Sequence, residues 1–276
     1  MKIEYEILIR PNPSPWRRLA IHSIAKATKG QITTEYSGIS RWLIIIGWTE
    51  TTQSAVDLHQ SKNKPVIFLD MGQLTRDRTE YKISVNRLYP SSQLHLAGTT
   101  DRFTRHNIQL TDNSYDPHGH ILLVGASDNA TSTYKYKIHE WEHQQIKSIK
   151  RVFGNRDIVY RPKPVCPSQI EGTIDGSPGN IYKWLDGCAL SVVLNSWVAV
   201  ESAICGVPCV AYNGIGKKIF NHPISADVPM LTKEQRLQFL HQVSWFEWNC
   251  SESVQMIEFA KHVHTKMVEE DLVIRR

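Results

Sequence analysis

Residues 195–212 read NSWVAVESAICGVPCVAY. Asn195 and Ser196 are cap residues, 197–205 is apolar nearly all round, Gly206 is a stop, and Pro208 opens a short apolar strand. A helix without a polar face, followed at once by a strand without one, belongs inside an α/β unit. Glu201 is the exception in that helix. A carboxylate among Trp197, Val198, Val200, Ile204 and Cys205 is costly if it is desolvated without a partner. It needs hydroxyl or cationic groups, supplied by the protein or by a ligand.

On both sides of this stretch, short apolar runs alternate with amphipathic ones. Upstream lie a strand at 121–124 ending in Gly125-Ala126-Ser127, a helix at 136–153 and a strand at 157–160. The loop Arg161-Pro162-Lys163-Pro164, a short helix at 181–186 and a strand at 189–194 come next. Downstream, helices are expected at 233–245 and 252–267. The N-terminal part repeats the rhythm with strands at 3–9, 42–46 and 66–69, a further strand at 81–85, and helices at 16–29 and from Thr51 or Thr52 to 61. The polar segment 111–117 reads as a linker. The fold class expected is therefore α/β, with two Rossmann-like doubly wound domains whose strand ends face one another across a cleft. Their boundaries are placed at 1–115 and 116–250, leaving 251–276 as a final helix.

Composition agrees with this size. The chain has 276 residues, 41% hydrophobic and 21% charged, which excludes disordered and fibrous classes and suits two domains. No apolar run is long enough to span a bilayer, and Glu4 and Glu6 interrupt the place where a secretion signal would be apolar. A cytoplasmic monomer is expected, in the host cytoplasm if the source is viral. Five cysteines without a CxxC pair suit reduced, buried thiols, and no metal site is expected.

The candidate ligand contacts fall one per strand end. Gly125 and Ser127 flank a turn of small residues, Arg161 and Lys163 put two cations on a stiffened loop, and Asn195 and Ser196 begin a helix whose free N–H groups favour an anion. Asp70, at the carboxyl end of strand 66–69, is the first candidate for a general base, and Glu50 is the second. The excess charge of +5 is modest. Arg17, Arg18, Arg76, Arg78 and Arg87 nonetheless cluster in the first 105 residues, where one face would suit phosphate.

Asn195-Ser196, Glu201 and Gly206-Val207-Pro208 with the strand that follows resemble the nucleotide-sugar motif of GT-B glycosyltransferases. The resemblance covers 118–250 by pattern and about twenty residues by motif. It implies that Glu201 binds the ribose hydroxyls of the donor, with Asn195, Ser196, Arg161 and Lys163 near its phosphates. The donor substrate it implies is a nucleotide-diphosphate sugar, a UDP-sugar first, with no tightly bound cofactor. It also implies that the last helix packs back on the N-terminal domain, so that Trp245, Phe246 and Trp248 are packing aromatics. The glycine-rich N-terminal loop of many members has no clear equivalent, and there is no Asp-x-Asp motif, so metal-independent transfer is expected. Among acceptors, hydroxymethylated pyrimidine in phage double-stranded DNA leads, because compact enzymes of this fold glycosylate such bases and the N-terminal arginines suit a polyanion. Saccharide or lipid-linked acceptors, a sugar-nucleotide 2-epimerase and a non-catalytic nucleic-acid-binding module are the alternatives.

Overall fold

The computed structural model describes residues 3–75, 79–112, 114–164 and 168–270. In chain order the elements are β1 (Tyr5–Leu8), α1 (Pro15–Thr28), β2 (Gln31–Thr33), β3 (Trp42–Ile46), α2 (Glu50–Gln60), β4 (Val66–Met71) and β5 (Glu80–Val85). Then come β6 (Tyr115–Val124), α3 (Asp128–Thr133), α4 (Glu140–Phe153), β7 (Ile158–Arg161), β8 (Ile174–Asp175), α5 (Ile181–Leu185) and β9 (Cys188–Val193). The chain closes with α6 (Val198–Cys205), β10 (Cys209–Ala211), α7 (Lys233–Ser244), β11 (Glu247–Asn249) and α8 (Ser253–Glu269). Two compact units result, 1–100 with 242–276, and 101–241.

The first unit holds a six-stranded sheet in the order β11-β5-β4-β3-β1-β2. Its strands β2, β1, β3 and β4 are parallel, with α1 between β1 and β2, α2 between β3 and β4, and the loop 34–41 joining β2 to β3. The apolar runs on β3 and β4 are buried throughout, as a parallel strand covered on both faces requires. From β5 the direction reverses, since β4–β5 and β5–β11 pair antiparallel. The physical reason is the connection: residues 72–79 are too few for the crossover that a parallel neighbour needs. β11 completes the edge with Trp248 opposite Tyr81. Phe246 and Trp248 are buried, and both rings lie against Phe259 of α8, as does half-buried Trp245. These aromatics therefore tie 242–270 to this unit. The units meet at 100/101 and 241/242 because β11 pairs with β5, a pairing that the three residues Glu247–Asn249 are too short to announce in sequence.

The second unit is a five-stranded parallel sheet in the order β10-β9-β6-β7-β8. Its core gathers Ile121 and Leu123 of β6, Trp141, Ile146 and Ile149 of α4, and Leu190 and Val192 of β9. Two sequence expectations change here. The linker expected at 111–117 is partly strand, because β6 already starts at Tyr115. Its first half is polar and largely exposed, and the ladder to β9 is irregular between Tyr115 and His120, so it lacks the apolar signature of a strand. The helix expected at 136–153 starts only at Glu140, and a separate short helix, α3, precedes it at Asp128–Thr133; between them Lys135 and His139 both adopt a positive φ of 59°. No glycine or proline marks that break.

Cys188, Cys205, Cys209 and Cys250 are buried and form no disulfide among the described residues, and Cys166 lies outside those residues. Burial pushes the Cys188 and Cys209 thiols up to about 12. No helix among the described residues is long and apolar enough to cross a membrane.

Candidate functional site

The strand ends of the second unit carry most of the expected donor contacts. β9 delivers Asn195 and Ser196 to the start of α6, where the first turn forms with Glu201 N–H donating to the Trp197 carbonyl at 3.1 Å. Ser196 is buried, and its hydroxyl oxygen accepts from the Val198 amide at 3.4 Å. Lys163, half-buried on the loop after β7, donates from Nζ to that same hydroxyl at 2.9 Å. An ammonium, a hydroxyl and the positive end of a helix dipole thus converge at one point. Glu201 lies about one and a half turns further along α6. It is 5% exposed, within a helix whose eight residues are all buried.

The far end of α6 shows what holds the helix in place. Arg236 of α7 is 5% exposed and donates from Nη1 to the carbonyls of Thr111 at 3.0 Å and Ala203 at 3.2 Å. Its Nη2 pairs with Asp112. A guanidinium on the last carbonyls of a helix satisfies acceptors that have no intrahelical partner and opposes the negative dipole end. Gly206, at φ 71°, makes the turn out of α6 beside it.

Two other expected contacts are already engaged within the fold. Arg161, at the end of β7, donates from Nη2 to the Gly179 carbonyl at 3.0 Å and from Nη1 to those of Gly176 and Ser177. It braces the loop 176–179. In the turn after β6, the Gly125 amide donates to the Arg161 carbonyl at 2.9 Å and the Ala126 amide to Glu142 Oε1 at 2.8 Å. Ser127 caps α3 by accepting from the Ala130 amide. Gly125 is required by packing, since a Cβ there would stand 2.5 Å from the Tyr160 hydroxyl. The turn therefore spends its first two amides on the fold.

In the first unit, Asp70 is half-buried at the end of β4, with Oδ1 accepting from the Met71 amide at 2.9 Å. Lys82 stands opposite it on β5, and Glu247 stands opposite Lys82 on β11. Lys82 is fully buried, with its Nζ 4.3 Å from the centroid of the Tyr89 ring. Burial lowers the Lys82 pKa, and Asp70 and Glu247 oppose that shift. Glu247 accepts from the Gln73 amide at 2.6 Å. Glu50 begins α2, but its side chain lies outside the described residues, as do Arg76 and Arg78. Arg17 is half-buried on the first turn of α1, with its guanidinium over Gly47, whereas Arg18 and Arg87 are exposed. Only Arg17 of the described arginine candidates is recessed at the strand ends.

No family model matches the chain, and no curated protein matches it. Solved structures do. The Thermosulfurimonas dismutans KpsC beta Kdo 2,7 transferase is similar at TM-score 0.53 and 15% identity, over 95% of this chain and 99% of that one. The KpsC beta Kdo 2,4 transferase of the same organism is similar at TM-score 0.54 and 9% identity, over 87% and 90%. This chain has the two-unit, Rossmann-like fold of the GT-B glycosyltransferases. The likeness extends over both units of the present chain, and it is to Kdo transferases, which leaves the DNA acceptor expected from the sequence without support.

Sequence reasoning missed Arg10, Lys82 as a partner of Asp70, Glu142 and Arg236. Glu142 had a readable signal: it lies beside Trp141 on the face of α4 that also buries Gln145, Ile146 and Ile149, so a carboxylate there had to be buried. Arg10 had none, being one cation in a loop of prolines.

Proposed function

We propose that the protein is a glycosyltransferase that moves a sugar from a nucleotide sugar to a hydroxyl of a saccharide acceptor. The observation that carries this reading is the convergence of Lys163 on Ser196 at the start of α6, with Glu201 buried on the same helix. A phosphate oxygen suits that point because it meets an ammonium, a hydroxyl and the positive end of a helix dipole together. Glu201, buried one and a half turns along the same helix, would accept hydrogen bonds from the ribose hydroxyls of the donor. The fold shared with two Kdo transferases supports transfer to a saccharide over transfer to DNA.

In the reaction, the acceptor hydroxyl oxygen bonds to the anomeric carbon while the bond from that carbon to the donor phosphate breaks. The phosphate leaves with the bonding pair, and its growing charge is stabilised by Lys163 and the helix start. The acceptor proton goes to Asp70, the candidate base.

The test is a donor screen by mass spectrometry, using nucleoside mono- and diphosphate sugars with mixed saccharide acceptors and hydroxymethylated DNA. A glycosylated saccharide is expected, formed only when donor and acceptor are both present. Conversion of donor without any acceptor would make the protein an epimerase instead. Glu201→Gln should weaken nucleotide-sugar binding about ten-fold or more, the usual cost of losing a charge-assisted contact. Unchanged affinity would remove Glu201 from the donor site.

A further inference from the structure

Two guanidinium groups share the strand-end edge of the first unit. Arg10 follows β1, is half-buried and donates from Nη2 to the Trp48 carbonyl beyond β3. Arg17 reaches the same place from α1 and lies on Gly47, so close that a Cβ on that glycine would stand 2.9 Å from its Nη2. Gly47 adopts φ 81° directly after β3. The backbone there is therefore shaped to admit the arginine. The Nε of Arg10 and the Nε of Arg17 are both buried, and neither has a hydrogen-bond partner among the described residues. Asp70 is near enough to influence Arg10 electrostatically, and one of its oxygens is occupied by the Met71 amide.

Holding two partly desolvated cations together costs energy unless something negative joins them. Each guanidinium presents N–H groups in a rigid fork that fits a carboxylate or a phosphate. The groups are recessed, while Arg18 and Arg87 are exposed. A small anion reaches such a pair more readily than the phosphates of a stiff duplex.

We infer that Arg10 and Arg17 form an anion subsite for the acceptor, which is an acidic saccharide whose carboxylate or phosphate they hold while its hydroxyl meets Asp70. This rests on the transfer reaction proposed above. The two ideas are nonetheless separable, because the subsite lies wholly in the first unit and the donor contacts in the second.

The experiment is calorimetric titration of the full chain with glucose, glucuronate, glucose 6-phosphate and a short DNA duplex, alongside a nucleotide sugar. One of the two acids should bind at least about ten-fold more tightly than glucose, and which one does so identifies the anion as carboxylate or phosphate. Arg10→Gln and Arg17→Gln should each remove most of that preference, Arg17→Lys should restore part of it, and Arg18→Gln should leave it intact. Nucleotide-sugar affinity should be the same in all four variants, which also reports that they fold. The inference is overturned if the acids bind no better than glucose, if neither acid binds at millimolar concentration, if Arg10→Gln and Arg17→Gln keep the preference, or if duplex binds more tightly than every saccharide. Failure of the nucleotide sugar alone, with the acids still bound at Arg10 and Arg17, would instead count against the transfer reaction.

Discussion

Lys163 Nζ donates to the Ser196 hydroxyl at 2.9 Å, joining the loop after β7 to the start of α6. The contact fixes a flexible cation at a helix N-terminus, so the two groups should act on a phosphate as one unit. Lys163→Ala is expected to raise the nucleotide-sugar Kd about ten-fold or more, and Ser196→Ala by less. The double variant should cost less than the sum of the two, because each single change already breaks the shared contact. Calorimetry on the three variants measures the coupling, and strict additivity would refute it.

Asp70 sits half-buried at a strand end, beside a buried lysine in register with it. Asp70→Asn keeps the shape and removes the proton acceptor. The turnover rate should fall about 100-fold or more, the usual contribution of a general base, with donor affinity unchanged. Steady-state kinetics with a matched donor and acceptor decide it; an unaffected rate passes the role to another group.

Arg236 matters to stability through α6. Its removal strands the Ala203 and Thr111 carbonyls and leaves Asp112 only the longer contact to Lys233 at 3.9 Å. Asp112 is half exposed, so water takes over much of that ion pair and the loss lies mainly in the buried carbonyls. Arg236→Ala should destabilise the second unit by about 2 kcal/mol, read as a lower urea midpoint and faster hydrogen exchange along α6. Arg236→Lys should recover only part, because an ammonium lacks the planar fork that reaches several acceptors at once.

His59 gives the first unit a pH dependence of definite sign. It is completely buried, its Nδ1 lies 2.7 Å from the Tyr36 hydroxyl, and burial lowers its pKa from 6.5 to about 4. The unfolded imidazole therefore binds a proton at a pH where the folded one does not. Stability from this residue is present above pH 6.5 and is lost as pH falls towards about 4, at a slope of up to about 1.4 kcal/mol per pH unit. Burial depresses His264 in the same direction. Urea unfolding of the wild type and His59→Asn between neutral and mildly acid pH checks the assignment, since the variant should lose part of the slope.

The sequence by itself determined the α/β class, the two successive units and the helix with its buried glutamate. These follow from local causes: period, caps, stops and the solvation cost of one carboxylate in an apolar run. Ser196 and Lys163 were each legible as phosphate contacts from their place at a strand end. That they touch was decided by the tertiary structure, because 33 residues separate them in the chain. Only the fold showed that Arg161 and the Gly125 and Ala126 amides are spent on internal hydrogen bonds, since their partners lie on other elements. The same holds for Arg10 beside Arg17, and for Lys82 between Asp70 and Glu247. Periodicity reports which face a residue occupies, but strand order and register decide which charges meet across that face.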